Sequence, residues 1–386
     1  MLIKTTLFFI VVIGTFSCQI QAKVRGYTST DGLYSKILDE NRELLIHLPN
    51  SYHQAPKRKY PVMYLLDGLR NFNHAAGTLD LLNQSFITEE MIIIGIKNTH
   101  RTRDFTPTYD ESYNKWGISG GADNFLDFLE KELIPYINYR YRANDIRILS
   151  GHSLGGLLAV YSLHTRPSLF QAHFAFSPSL WWHNRVVLKN ALQFYANEKT
   201  VSNFLYINMG NEGGHMLETF QAYKTVLDEV STKNVAYHAD LIEHENHNTT
   251  AMVGHNSAYR ALTSYFSCPD DELLKGIEKI SECYQIKSKR YGITITPSYR
   301  TIRDAANLAF KNKEMDRAVS IYKTLISTYP DHADAHFRFA YVLEEIGELD
   351  KALDEVKKAL AISVEENVEN NAYKTYRDYL ISRIKD

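Results

Sequence analysis

The chain has 386 residues, 44% of them hydrophobic and 12% aromatic, and a formal net charge of −2. That length exceeds one ordinary domain and suits a large domain plus a small one, with enough apolar content for a real core. Near-neutral charge with scattered Lys and Arg gives no basis for a nucleic-acid or anionic-membrane partner.

The N-terminus reads as an export signal. Met1-Leu2-Ile3-Lys4 supplies a positive start, residues 7–14 an apolar run, and Gln21-Ala22 a cleavage point before Lys23. The run is too short to span a bilayer, and no later stretch approaches spanning length, so no transmembrane span is expected. The expectation is a signal peptide over residues 1–22 and an exported protein, periplasmic or secreted. A lipid anchor on Cys18 is the alternative, although Thr15-Phe16-Ser17 is a poor lipobox. Signal removal leaves Cys268 and Cys283, which pair or stay as free thiols; sequence alone leaves both open.

Between Arg42 and about Phe266, short β-rich runs alternate with amphipathic stretches, the pattern of an α/β fold with a parallel sheet covered by helices. Candidate strands are residues 43–48, 60–66, 91–96, 146–149, 172–176, 204–208 and 237–242. Most are continuously apolar, as expected where both sheet faces are buried. The strongest helix between them starts at Asp123 as N-cap and carries Phe125, Leu126, Phe128, Leu129 and Leu133 at helical spacing.

After Ser267 polar residues take over. Residues 270–290 read as one more helix and 292–297 as an extended connector. Beyond them Ala318 and Ala352 occupy equivalent places 34 residues apart, the tetratricopeptide period. Two such units and a terminal helix from about Asn371 form a small all-α array. The expected division is 23–268 for the α/β domain, 269–298 for a helical linker and 299–386 for the tetratricopeptide-like repeats.

The most informative stretch is Gly151-His152-Ser153-Leu154-Gly155-Gly156, between an apolar strand and an apolar helix. In that setting G-x-S-x-G forms a nucleophile elbow, which presents a serine at a helix N-terminus above the sheet. A serine hydroxyl needs a base to take its proton, and the partners follow in the order Ser, acid, His. The base belongs on a loop after the last strand, where His244 and His247 both lie; His247 sits further into the loop and is preferred. The acid belongs after the preceding strand, where Glu212 is the natural carboxylate, with Glu243, Glu245 and Asp240 in reserve. Oxyanion-hole amides are expected at Leu154, just after the nucleophile, and at Leu69, in the turn Asp67-Gly68-Leu69-Arg70.

Five stretches then carry a resemblance. They are Tyr60-Pro61-Val62-Met63-Tyr64-Leu65-Leu66-Asp67-Gly68, Arg103-Asp104-Phe105-Thr106-Pro107-Thr108, the elbow, Ser177-Pro178-Ser179-Leu180-Trp181-Trp182, and Glu245-Asn246-His247. In this order, over about residues 27–267, the chain resembles the putative esterase family, the α/β-hydrolase branch with the esterase D and siderophore-esterase types. The resemblance implies an α/β-hydrolase fold, with Ser153 as nucleophile and His247 as base. Asn248 stands where the family often has Gly. The tail is similar to that of exported bacterial members carrying a tetratricopeptide extension.

Three further residues are expected to face the site. Arg103 follows a strand at the sheet edge where ligands bind and offers a cation to an anionic or phenolic substrate, a structural salt bridge being the alternative. Trp181 and Trp182 offer an aromatic wall. No metal-ligand pattern and no phosphate loop appears, so no metal and no cofactor is expected. The expected function is an exported serine carboxylic ester hydrolase working through an acyl-enzyme, acting on a small-molecule ester, siderophore esters and other acyl esters included. Rival readings are acyl transfer on the same residues, or a protein partner recruited by the repeats with the esterase secondary.

Overall fold

The computed structural model describes residues 27–53, 55–197, 202–231, 236–268, 275–365 and 370–385. The export signal, Cys18 and the start of the helix expected from residue 270 lie outside them.

An eight-stranded sheet organises the N-terminal two thirds. In chain order it is built from β1 (Tyr27–Ser35), β2 (Glu40–Leu48), β3 (Tyr60–Leu65), β4 (Ile92–Ile96), β5 (Ala143–His152), β6 (Ala172–Phe176), β7 (Phe204–Gly210) and β8 (Ala236–Ile242). The strand order is β1-β2-β4-β3-β5-β6-β7-β8. β1 and β2 pair antiparallel, as do β2 and β4, and every pair from β4 through β3 to β8 is parallel. All seven expected strands are present. The eighth, β1, is polar along Tyr27-Thr28-Ser29-Thr30-Asp31 and lies at the sheet edge, where one pairing partner suffices.

Helices cover both faces. They are α1 (Gly68–Gln84), α2 (Arg101–Phe105), α3 (Ala122–Phe128), α4 (Ile134–Arg140), α5 (Leu154–Thr165), α6 (Trp182–Asn197), α7 (Gly214–Ser231) and α8 (Thr250–Phe266). One apolar cluster packs α3 to α7 onto one face of the sheet; a second packs α1 and α8 onto the other. The inner strands β3, β4, β6 and β7 are buried almost throughout because helices cover them on both sides, whereas the edge strand β8 is only partly covered. This is the α/β-hydrolase fold. The expected N-cap at Asp123 is corrected. Gly121 caps α3, the amide of Ala122 donates to the Thr106 carbonyl, and the Asp123 carboxylate accepts instead from the Tyr161 hydroxyl at 3.0 Å.

The C-terminal part is all-α. Helix α9 (Ile277–Tyr291) ends at Gly292 in the left-handed conformation, and α10 (Tyr299–Lys311), α11 (Met315–Thr328), α12 (Ala333–Glu345), α13 (Leu349–Glu365) and α14 (Asn371–Lys385) follow. The period is realised physically: Ala318 and Ala352 are both fully buried on the second helix of a hairpin, where two helices approach closely. A disulfide joins Cys268, just after α8, to Cys283 on α9, which settles the alternative left open by the sequence.

Candidate active site

The turn from β5 into α5 sets the site. Ser153 holds φ 60° and ψ −116°, a conformation a serine adopts only when its surroundings impose it. The amide of Ser153 donates to the Phe176 carbonyl at 2.9 Å, and the amide of Ser179 donates to the Ser153 carbonyl at 3.1 Å. Gly151 is obligatory, because a Cβ there would lie 2.3 Å from the backbone of Gly155. The elbow predicted from the motif is therefore present.

Two loops at the C-terminal ends of neighbouring strands bring their side chains to it. His247, between β8 and α8, places Nε2 3.0 Å from the Ser153 Oγ. Its Nδ1 lies 2.6 Å from the Oε2 of Glu212, which follows β7. The other carboxylate oxygen of Glu212 accepts from the Ser177 hydroxyl at 2.5 Å and from the Gly210 amide at 3.3 Å. Burial works to raise the Glu212 carboxyl, but the bonds from His247, Ser177 and Gly210 outweigh it and hold the group below the usual range. An anionic Glu212 requires the proton on Nδ1 of His247 and leaves Nε2 free to accept from serine. A hydroxyl, an imidazole and a carboxylate in this series can generate a nucleophile at neutral pH.

Among the described residues, none of the alternatives considered from sequence, Asp240, Glu243, Glu245 or His244, makes a side-chain hydrogen bond to Ser153 or to the His247 ring. Asp240 accepts from the Tyr206 hydroxyl at 2.6 Å and pairs with His238 at 2.9 Å. His244 is exposed.

Leu154 and Leu69 are each in the first turn of a helix, α5 and α1, where amides have no intrahelical acceptor. Gly68 lets α1 start against β4: a Cβ on it would lie 2.7 Å from the Gly95 carbonyl carbon.

A cavity of about 580 Å³ opens beside Ser153, lined among others by Trp181, Met216, Asn246 and Asn248. Trp181 donates its indole N–H to the Met216 sulfur at 2.9 Å. Trp182 is a correction. It is fully buried, donates to the Thr108 hydroxyl at 3.1 Å, and belongs to the core rather than to a pocket wall. Arg103 is a second. Its guanidinium bonds Glu40 and Asp104, each at 2.8 Å, within a buried network with Arg42, and it does not line this cavity.

Several site neighbours went unnoticed in the sequence. Ser179 Oγ lies 3.3 Å from Ser153 Oγ, Ser177 holds Glu212, and His152 bonds the backbone of His247. Arg70 donates to the side-chain oxygen of Asn248 at 2.9 Å, so the departure from glycine at 248 ties the His247 loop to α1. Only the adjacency of Ser177 and Ser179 to the end of a predicted strand signalled any of these. Among the described residues, no group of three or more His, Cys, Asp or Glu is placed to hold a metal ion, and no helix is long and apolar enough to cross a membrane.

The strand order, the strained serine and its histidine define an α/β-hydrolase with a nucleophile elbow. The chain belongs to the putative esterase family, whose model matches residues 35–259; a tetratricopeptide-repeat model matches residues 309–368. Among curated proteins, the ferri-bacillibactin esterase BesA of Bacillus subtilis is 31% identical over 42% of this chain and 62% of its own length. The siderophore enterobactin esterase of Emericella nidulans is 35% identical over 34% of this chain and 50% of its own. The chain thus spans less than two thirds of either relative. The crystal structure of an IroE-like serine hydrolase from Shewanella oneidensis is 28% identical, with a TM-score of 0.67, covering 78% of this chain and all of that one.

Proposed function

We propose that this protein is an exported serine ester hydrolase that cleaves carboxylic esters through an acyl-enzyme. The observation that carries the reading is the unbroken series from the Ser153 hydroxyl through His247 to Glu212, at 3.0 and 2.6 Å. In the first step Ser153 Oγ attacks the ester carbonyl while His247 Nε2 takes its proton. The tetrahedral oxyanion is received by the amides of Leu154 and Leu69. Collapse expels the alcohol, which takes the proton from His247, and leaves the acyl group on Ser153. Water, deprotonated by His247, then attacks the acyl carbonyl; collapse breaks the bond to Ser153 Oγ, which takes that proton back from His247, and releases the acid. Glu212 fixes the imidazole tautomer and balances its positive form.

Trp181 and Met216 offer the acyl or alcohol portion an apolar wall. The relatives' names, esterases of ferri-bacillibactin and of enterobactin, favour siderophore esters as substrates. Export rests on the N-terminal signal reading and is supported by the Cys268–Cys283 disulfide, a bond favoured in oxidising compartments. A boundary near residue 268 is supported by an apolar cluster that runs from Cys268 to Leu380; it takes in Ile280, Tyr284 and Tyr291 of α9, so it groups the expected linker helix with the repeats instead of marking a boundary at 298.

Turnover of p-nitrophenyl acyl esters by the mature protein, beside Ser153→Ala, tests the reading. The expected result is a loss of at least about 10³-fold in kcat, with a fluorophosphonate adduct on Ser153 of the wild type only. Equal rates in the two proteins overturn it.

A further inference from the structure

Asp67 follows β3 and occupies the N-cap of α1, yet its carboxylate makes no capping bond. An aspartate at that position ordinarily accepts the amide protons of the second or third helical residue, here Leu69 and Arg70. This carboxylate is held elsewhere. Arg101 grips both its oxygens, Nε to Oδ1 at 2.7 Å and Nη2 to Oδ2 at 2.9 Å, and Asn98 adds a bond to Oδ1 at 2.5 Å. The same Nη2 of Arg101 donates to the His152 carbonyl at 3.1 Å, inside the elbow. A Cβ on Gly155 would lie 3.4 Å from Asp67 Oδ2, so the clamped carboxylate rests against the first turn of α5.

The backbone of Asp67 registers the same restraint. Its φ of 54° and ψ of 43° are left-handed, which a non-glycine residue keeps only under constraint. The amides of Arg70 and Asn71 take up the Asp67 carbonyl, at 2.9 and 3.1 Å, whereas among the described residues no acceptor meets the amide of Leu69.

We infer that Arg101 is a positioning residue that keeps the oxyanion hole open by withholding the Asp67 carboxylate from the N-terminus of α1. The inference rests on the reading of Ser153 as nucleophile and Leu69 as oxyanion donor. Freed from the guanidinium, Asp67 gains twice by relaxing into an ordinary N-cap. It leaves the left-handed region, and its carboxylate meets an orphan amide. A captured amide no longer serves the tetrahedral intermediate, and an unpaired carboxylate beside the hole repels the oxyanion.

The test compares p-nitrophenyl butyrate turnover by the wild type, Arg101→Ala, and Arg101→Ala combined with Asp67→Gly. Glycine keeps the left-handed backbone without strain and has no carboxylate to cap with. Arg101→Ala is expected to lose about 100-fold in kcat with KM within about threefold, the scale of one lost oxyanion donor. Asp67→Gly in that background is expected to restore at least about tenfold of the loss. A double variant as slow as Arg101→Ala overturns the inference, as does a wild-type kcat for Arg101→Ala. If Arg101→Ala does not melt cooperatively, Asn98→Ala on the exposed second clamp carries the test. It should lose kcat severalfold and be relieved by Asp67→Gly; no loss, or no relief, overturns the inference. Ser153→Ala separates the two readings. A rate equal to wild type there overturns the nucleophile itself, whereas an inactive Ser153→Ala with an unrelieved Arg101→Ala overturns the role of Arg101 alone.

Discussion

His152 donates its Nε2 proton to the carbonyl oxygen of His247 at 2.5 Å, and the two rings lie 4.6 Å apart. The residue preceding the candidate nucleophile thus holds the loop that carries the candidate base. That bond fixes His152 as the Nε2–H tautomer and steadies the backbone from which the His247 ring approaches Ser153. One such bond is worth about 1 kcal/mol net. His152→Phe, which keeps an aromatic ring but loses the donor, should therefore cut kcat about fivefold and leave KM unchanged. Steady-state kinetics on a p-nitrophenyl ester read this directly, and an unaltered kcat would dismiss the tether.

Buried neutral histidines give the fold an acid limit. Burial, with His247 next in effect, pushes His152 down to about 4, and burial pushes His173 and His255 down to about 3. Between pH 6.5 and about 4 the unfolded chain binds a proton on each of these and the folded protein on none. Acidification through that window therefore destabilises the fold, by up to about 1.4 kcal/mol per pH unit for each histidine. Above pH 6.5 their contribution is complete and flat. Melting curves from pH 7.5 to 4.5 should show Tm falling once pH drops below 6.5. His173 has both ring nitrogens buried without a hydrogen-bond partner among the described residues, so His173→Leu should flatten the slope by about one proton. An unchanged slope would exclude His173 from the effect.

Glu212 depends on its second oxygen as well as its first. Ser177 donates to it at 2.5 Å and in turn meets the Thr250 hydroxyl at 2.9 Å, so the carboxylate is held from three elements of the fold. Glu212→Gln favours the wrong imidazole tautomer and should lower kcat by about 10³ to 10⁴. Ser177→Ala should lower it only about tenfold, since the His247 bond survives. A Ser177→Ala loss equal to that of Glu212→Gln would mean that the hydroxyl, not the carboxylate, sets the imidazole.

The candidate site was legible in the sequence because its residues lie in short motifs in fixed order along a regular sheet. Gly151 to Gly156 needs a tight turn, Glu212 follows a strongly apolar strand, and His247 lies on the loop after the last one. What stayed hidden depended on partners distant in sequence. Arg103 could be read as a substrate cation or as a salt-bridge partner, and only the fold, which brings Glu40 from 63 residues upstream against it, decides for the latter. Entry into α3 is set by the carbonyl of Thr106 rather than by a local cap, so Asp123 misled. Arg101 is invisible as a site residue until the fold brings Asp67 and the elbow within its reach.

Adjacent tryptophans cannot be told apart by composition, but their surroundings separate them. Trp181 lines the cavity beside Ser153, while Trp182 is wholly enclosed. Trp181→Ala should raise KM for bulky acyl esters about tenfold while Tm stays near wild type. Trp182→Ala should cost about 3 to 5 kcal/mol of stability, as for any large aromatic deleted from a packed core. Thermal melts beside KM values check both; a Tm loss confined to Trp181→Ala would reverse the assignment.

The repeats meet the α/β domain at the edge of the sheet opposite the site. Arg58 precedes β3 and lies between Glu89 at 3.4 Å, Glu90 at 3.0 Å and Asp331 at 3.9 Å, with the Tyr329 ring 5.3 Å away. Phe86, before β4, stacks on Tyr299 of α10 at 5.6 Å. Both contacts lie at the N-terminal ends of parallel strands, whereas Ser153 follows the C-terminal end of β5, whose ten residues span about 30 Å. Repeats docked there are not walls of the cavity. Arg58→Met leaves three carboxylates facing one another without their shared cation and should cost about 3 kcal/mol. It should leave the kcat and KM for a small ester unchanged. A variant that melts earlier but turns over at the wild-type rate assigns the repeats to stability or to a partner. A changed KM would instead mean that their docking reaches across the sheet into the pocket.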